Sequence, residues 1–186
     1  MPRIRPLLQL LALSAVAACG DDDSLPDPTS ENLVDTVTVG SLTDTPVTTA
    51  SGFAVSAGVA VRTDLDAGFD FAYDIQGPPE TGLKVVLPRA ALGISSGGTA
   101  EPGVMRREEA FDDIESAPSN GYVTNEAVPV ALGERYIVRS RVVCDIGVPV
   151  YAKIEVIGFE DNSLVLKRLK NVNCGYRGLE PGLPDR

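Results

Sequence analysis

Apolar and polar side chains alternate with period two in four separate stretches of this chain. In residues 69–75, Phe69, Phe71, Tyr73 and Ile75 stand opposite Asp70, Ala72 and Asp74. In residues 136–144, Tyr136, Val138, Val142 and Cys144 face one way, and Arg135, Arg139 and Arg141 line the other side. Residues 150–156 put Val150, Ala152, Ile154 and Val156 inward and Tyr151, Lys153 and Glu155 outward. Residues 53–61 read as one strand, with Phe53, Val55, Ala57, Val59 and Val61 opposed to Ala54, Ser56, Gly58 and Ala60. A strand turns successive side chains to opposite faces, so this pattern predicts half-buried strands of antiparallel sheets. Residues 34–39, 84–87, 122–124 and 164–169 are further strand candidates. Asp145-Ile146-Gly147-Val148-Pro149 and Glu160-Asp161-Asn162-Ser163 supply hairpin turns.

One segment reads as helical. Residues 105–116 place Phe111 and Ile114 on one side among Glu108, Glu109, Asp112, Asp113 and Glu115, and Pro118 ends the run. The expected fold class is therefore all-β, mostly antiparallel sheet, with one short helix. No internal repeat or second domain is legible, which assigns residues 33–186 to a single β domain.

The N-terminus has a different grammar. Arg3 and Arg5 precede an apolar stretch from residue 7 to 18 that is broken only by Gln9 and Ser14. This is the layout of a secretory signal, and it is too short to span a bilayer, which takes about 20 apolar residues. It closes on Val16-Ala17-Ala18-Cys19, which resembles the lipobox of bacterial lipoproteins. That resemblance implies a signal peptide over residues 1–18, acyl chains on Cys19 and attachment to the membrane through them. Gly20, not aspartate, follows the cysteine; by analogy with lipoprotein sorting this directs the chain to the outer membrane of the bacterial cell envelope. Residues 19–32 are acidic, Pro-rich and poor in apolar side chains, and are expected to form a disordered tether.

Removing residues 1–18 leaves 168 residues. The 16 basic residues fall to 14 with Arg3 and Arg5 gone, against 26 acids, so the mature charge is −12. Such a chain is repelled by nucleic acid. With no histidine at all, it lacks the commonest general base and transition-metal ligand, which excludes His-containing triads and His-rich zinc sites. Of three cysteines, Cys144 and Cys174 remain beside Cys19. In an oxidising compartment two such thiols form one disulfide; the other reading is a pair of free, buried thiols.

The remaining polar clusters carry weak chemistry. The Gly-rich run of residues 94–100 lacks the lysine of a phosphate-binding loop and reads as a flexible loop. Asp64, Asp66, Asp70 and Asp74 miss the EF-hand spacing, with Gly68 and Phe69 at loop positions five and six. Asp70 and Asp74 read as the solvent side of a strand, and the acids of residues 108–115 as a solvated helix face. No metal site and no nucleophile–base pair is visible, so no catalytic residue is assigned and the chain is read as a non-enzyme. Arg135, Arg139 and Arg141 form the best-placed polar cluster: they either grip a carboxylate or phosphate or pair with acids across the sheet.

Several pieces follow one another in a suggestive order. Phe69-Asp70-Phe71-Ala72-Tyr73-Asp74 is followed by the Gly-rich loop of residues 93–98. Then come Phe111-Asp112-Asp113-Ile114-Glu115-Ser116-Ala117-Pro118 with Gly121-Tyr122-Val123. Tyr136-Ile137-Val138-Arg139-Ser140 and Tyr151-Ala152-Lys153-Ile154-Glu155-Val156 complete the series. In this order the region resembles the HmuY-like family of haem-binding lipoproteins. The resemblance implies a mostly antiparallel β fold, an outer-membrane anchor, and haem captured between loops for delivery to a transporter. The family's histidine pair has no counterpart here. Haem binding would then fall to Met105, beside the Gly-rich loop, or to a tyrosine, although methionine also serves as an apolar gap-filler. The competing reading is a structural or protein-interaction lipoprotein of the envelope with a protein partner and no small ligand.

Overall fold

The computed structural model describes residues 25–97 and 100–184. Cys19, the signal segment and the first part of the tether lie outside the described residues. Ten strands follow one another: β1 (Val34–Gly40), β2 (Gly52–Ala54), β3 (Val59–Val61), β4 (Phe71–Gln76), β5 (Leu83–Pro88), β6 (Gly103–Arg107), β7 (Val128–Pro129), β8 (Arg135–Val142), β9 (Pro149–Glu160) and β10 (Ser163–Asn171). They form two five-stranded antiparallel sheets, ordered β1-β10-β9-β8-β6 and β3-β2-β4-β5-β7. The inward faces meet in one core. Tyr136, Val138, Ala152, Ile154, Val156, Leu164 and Leu166 from the first sheet pack against Phe53, Phe71, Tyr73, Ile75 and Val86 from the second. The Phe53 and Phe71 rings lie 5.3 Å apart.

The chain passes between the sheets at the end of β1. Ser41 pairs with Tyr73 of β4, and Leu42 N donates to the Tyr73 carbonyl at 2.9 Å. Asp74 Oδ1 pins this corner by accepting from Ser41 Oγ (2.8 Å), Thr43 Oγ1 (2.9 Å) and Thr43 N (3.1 Å). The β9–β10 turn has Asp161 and Asn162 at φ 46° and 59°. A two-residue turn of that hand matches the twist of its flanking strands.

Besides residues 122–124, which hold an isolated bridge from Val123 to Val104 and no strand, the structure departs from the sequence reading in four places. Residues 53–61 are a hairpin, with Phe53 opposite Ala60. The turn is tight because Gly58 takes φ 68°, which side chains other than glycine rarely accept, and its N–H closes on the Ala54 carbonyl at 2.7 Å. Residues 105–116 hold no α-helix, and none occurs among the described residues. Met105, Arg106 and Arg107 pair with Ile137, Tyr136 and Arg135 of β8, so ladder bonds take the place of helical ones. Only a 3₁₀ turn at Phe111–Asp113 remains, since two apolar residues among acids give a helix too little to bury.

The third departure concerns burial. Tyr151 and Lys153, read as outward, are covered. Phe111, Ile114, Ala117 and Leu179 lie over the outer face of the first sheet against Ile137, Tyr151 and Leu169. This added layer is closed by the Ser116–Gly178 bridge and by Leu179 N donating to the Glu115 carbonyl at 2.6 Å. Asp70 is likewise buried, at 1 % exposure. Fourth, the end of the expected tether is docked. Asn173 Oδ1 accepts from Thr29 N at 2.8 Å, and Asn32 pairs with Gly182.

Lys153 sits inside the added layer. Its ammonium donates to the Ile114 carbonyl at 3.0 Å and lies 4.7 Å from the centre of the Phe111 ring. Burial pushes its pKa down, against the pull of Asp112. A lysine whose folded pKa is depressed costs stability while charged, so that part of the cost is recovered as pH rises toward the unfolded pKa near 10.4. Lys153→Met loses the bond to Ile114 and gains from no longer burying a charge, so at pH 7 it shifts unfolding stability by less than about 1 kcal/mol. Urea unfolding at pH 7 and pH 10 checks this: relative to the variant, the wild type gains stability at the higher pH. A wild type that loses ground there would contradict the assignment.

Candidate functional site

The site starts from an irregularity in β8. Its register with β9 shifts between Arg139 and Val142. Ser140, fully buried, fills the gap with its hydroxyl accepting from Val150 N at 2.9 Å. The shift separates the three arginines. Arg135 donates to the carbonyls of Gly133 (2.7 Å) and Glu108 (3.0 Å). Arg139 donates to the Glu101 carbonyl (2.8 and 3.2 Å) and lies 4.6 Å from the centre of the Tyr122 ring. Arg141 turns to the other sheet. Its main-chain N–H donates to Asp70 Oδ1 at 2.8 Å, its Nη1 reaches the Gly68 carbonyl, and Nη1 lies 3.6 Å from Asp70 Oδ1. The three arginines are thereby placed apart: two staple loops to the outer face of the first sheet, and the third joins the two sheets.

Asp70 is the hub of that junction. Its second oxygen accepts from Val55 N at 2.8 Å, which fixes the β2–β3 turn beside Arg141. Burial pushes the Asp70 carboxyl up from its ordinary value, and the Arg141 and Val55 amides pull it back in part.

Beside this junction lies an open cleft of about 530 Å³. Cys144 and Cys174 form a disulfide on its wall, with Cα atoms 5.9 Å apart, within the reach such a bond demands. Val142, Val143, Val150 and Val172 add apolar surface, and Ser56 and Arg141 supply the polar groups. Two further cations stand at the β2–β3 turn, whose Ser56 lines the cleft. The inward face of β10 runs from Leu164 and Leu166 to Arg168 and Lys170, and Val172 follows just beyond the strand. Lys170 Nζ donates to the Ala57 carbonyl at 2.8 Å. Arg168 pairs with Asp35 at 2.7 Å, while its Nε and Nη1 are buried without a partner among the described residues. Burial lowers the pKa of both groups, and Arg168 depresses Lys170 further.

Sequence reasoning named Arg141, Cys144 and Cys174 but not Ser56 and Val172 of the lining, nor Arg168 and Lys170 at the turn beside it. The alternation along β10 carried a signal for the last two, as it aligns them with core leucines. Met105 lies elsewhere. Its methyl group packs under Gly121, where an added Cβ would come within 2.9 Å, and its sulfur is 3.9 Å from Arg107 Nη1.

The cleft lining holds neither a methionine nor a tyrosine that could ligate haem iron. Met105 is packed as described. Tyr122 OH donates to the Pro118 carbonyl and Tyr136 OH to that of Pro129, both at 2.8 Å. Tyr73, Tyr151 and Tyr176 are buried. Among the described residues no group of three or more acidic, Cys or His side chains is placed to hold a metal ion. Asp64 is instead paired with Arg62 at 2.7 Å, and Asp66 bonds Gly68 N at 2.6 Å. A shallower groove of about 380 Å³, between Leu83, Leu132 and Phe159, lies at a different place on the surface. No protein-family model, curated protein or solved structure matches the chain.

Proposed function

We propose that the chain is a lipid-anchored, non-enzymatic binding protein of the bacterial envelope, held at the outer membrane through Cys19, whose β domain captures a small ligand in the cleft beside Cys144 and Cys174. One observation carries the ligand reading. A cleft walled by valines and a disulfide brings a single arginine and a single hydroxyl to its lining, so that apolar side chains meet a few placed polar groups, as in small-molecule sites. The signal-like N-terminus, the closing Val-Ala-Ala-Cys and the disulfide support an exported location. The resemblance to HmuY-like lipoproteins supports an antiparallel β module there, with the ligand held by contacts other than histidine. The second reading, a structural or protein-interaction lipoprotein, draws on the exposed Leu83 and Leu132 beside Phe159.

The cleft is tested with anilinonaphthalene sulfonate, an apolar fluorescent anion, on the purified domain. The wild type binds it at one saturable site. Ser56→Trp, which fills the mouth from a turn outside the core, weakens binding by roughly tenfold or more and leaves the unfolding midpoint in place. Equal binding by the two proteins would remove the cleft and put the interaction reading first. The anchor is tested separately: Cys19→Ser abolishes incorporation of a clickable palmitate analogue in cells, and persistent labelling would refute it.

A further inference from the structure

The geometry points to an organic anion with a compact apolar body, a carboxylate-headed amphiphile, as the ligand class of this cleft. The inference rests on the cleft reading and adds the identity of the head group. Arg141 Nη1 is committed to the Gly68 carbonyl. Among the described residues, its Nε and Nη2 donate to no protein acceptor, and the side chain is 28 % exposed. These two donors form one edge of the planar fork, the edge that meets the two oxygens of a carboxylate in parallel. Packing the other side of the fork against Gly68 and Asp70 pre-orients it, so little rotamer freedom remains to be lost on binding.

Asp70 does not compete for that edge. It is buried, and its oxygens already accept from the Val55 and Arg141 amides. Around the β2–β3 turn Arg141, Arg168 and Lys170 stand against Asp35, Asp66 and Asp70, so the site carries no net positive charge, in a chain that is strongly acidic as a whole. The long-range field repels anions, so recognition must come from contacts at the cleft itself. The Ser56 hydroxyl, which also has no protein partner among the described residues, stands on the same lining as the arginine. The valine side chains and the disulfide offer no side-chain donor to a second charge. They call for an uncharged body, which excludes free phosphate as a full ligand.

The test is displacement of anilinonaphthalene sulfonate from the wild-type domain by decanoate, decanol and inorganic phosphate, below micellar concentrations. Decanoate displaces the probe, decanol does so roughly tenfold less well, and phosphate does not. Ser56→Asp places a negative charge on the cleft lining, from a half-buried position of the β2–β3 turn. It weakens decanoate by roughly tenfold and leaves decanol unchanged. Arg141→Gln does the same if folded, and Ser56→Asp decides the matter if it is not. Equal displacement by decanol and decanoate would overturn the anionic head and leave the cleft reading standing. Displacement by phosphate alone would overturn the apolar body. A wild type that binds neither probe nor decanoate would remove the cleft reading and this inference together.

Discussion

Replacing Cys144 and Cys174 together by serine lowers unfolding stability by about 3–4 kcal/mol, or roughly 10 °C in midpoint. The bond closes a loop of 30 residues, and closing a loop of that size in the unfolded chain accounts for the estimate through lost chain entropy. Local consequences follow from its position. Cys144 lies just beyond β8 and Cys174 just beyond β10, so the bond ties the two strands that flank β9. It also fixes the point from which residues 175–184 turn back to place Leu179 in the added layer and Gly182 against Asn32. The paired-serine protein should therefore lose protection from proteolysis first in that C-terminal segment. Denaturant unfolding of oxidised and paired-serine protein measures the effect, and a loss below about 1 kcal/mol would show that the bond closes no more than a pre-formed contact.

Asp70→Ala costs about 3–5 kcal/mol, because it leaves the Val55 and Arg141 amides unmet and the Arg141 charge without its buried partner. Asp70→Asn keeps one acceptor and costs about 1–3 kcal/mol. The pH dependence has a definite sign. Burial raises the folded pKa of Asp70, so its stabilising contribution is complete below the unfolded pKa near 4 and is lost as pH rises through the folded value. The gap between wild type and Asp70→Asn is therefore wider at pH 4 than at pH 7. A gap that narrows at pH 4 would mean that the Arg141 charge, and not burial, governs this carboxyl.

Most of the sandwich could be read from alternation, and the reasons for the failures are physical. β4, β8 and β9 alternate because one face meets the common core, where Phe71, Tyr73, Tyr136, Val138, Ile154 and Val156 meet as expected, while Phe69 and Val142 stay outside it. The turn at residues 55–58 stayed hidden, since Ser-Ala-Gly preserves the period of two that a continuous strand would show. The buried state of Tyr151 and Lys153 depends on a covering layer from residues 111–117 and Leu179, segments with no period of their own. Asp70 looked like a surface acid because nothing in a strand pattern reveals two amides from elsewhere in the chain converging on it.

The candidate site shows the same limit. Cys144 and Cys174 pair as their number and context suggested. The arginine cluster broke apart because a bulge, invisible in composition, sends Arg141 away from Arg135 and Arg139. Ser56, Arg141 and Val172 come together only through the packing of one sheet on the other. Lys170 and Arg168 were legible in principle, as two cations on the inward face of a strand, a placement that demands a partner or a ligand.

The central claim is that the cleft between the β2–β3 turn and the Cys144–Cys174 bridge is where this protein binds. Amide chemical-shift mapping of the oxidised domain titrated with decanoate tests it most directly. The account predicts saturable shifts confined to residues 55–58, 141–144, 150 and 172–174, with the outer face around Met105 and Tyr122 unmoved. Shifts centred on Leu83, Leu132 and Phe159, or none at saturating ligand, would contradict it.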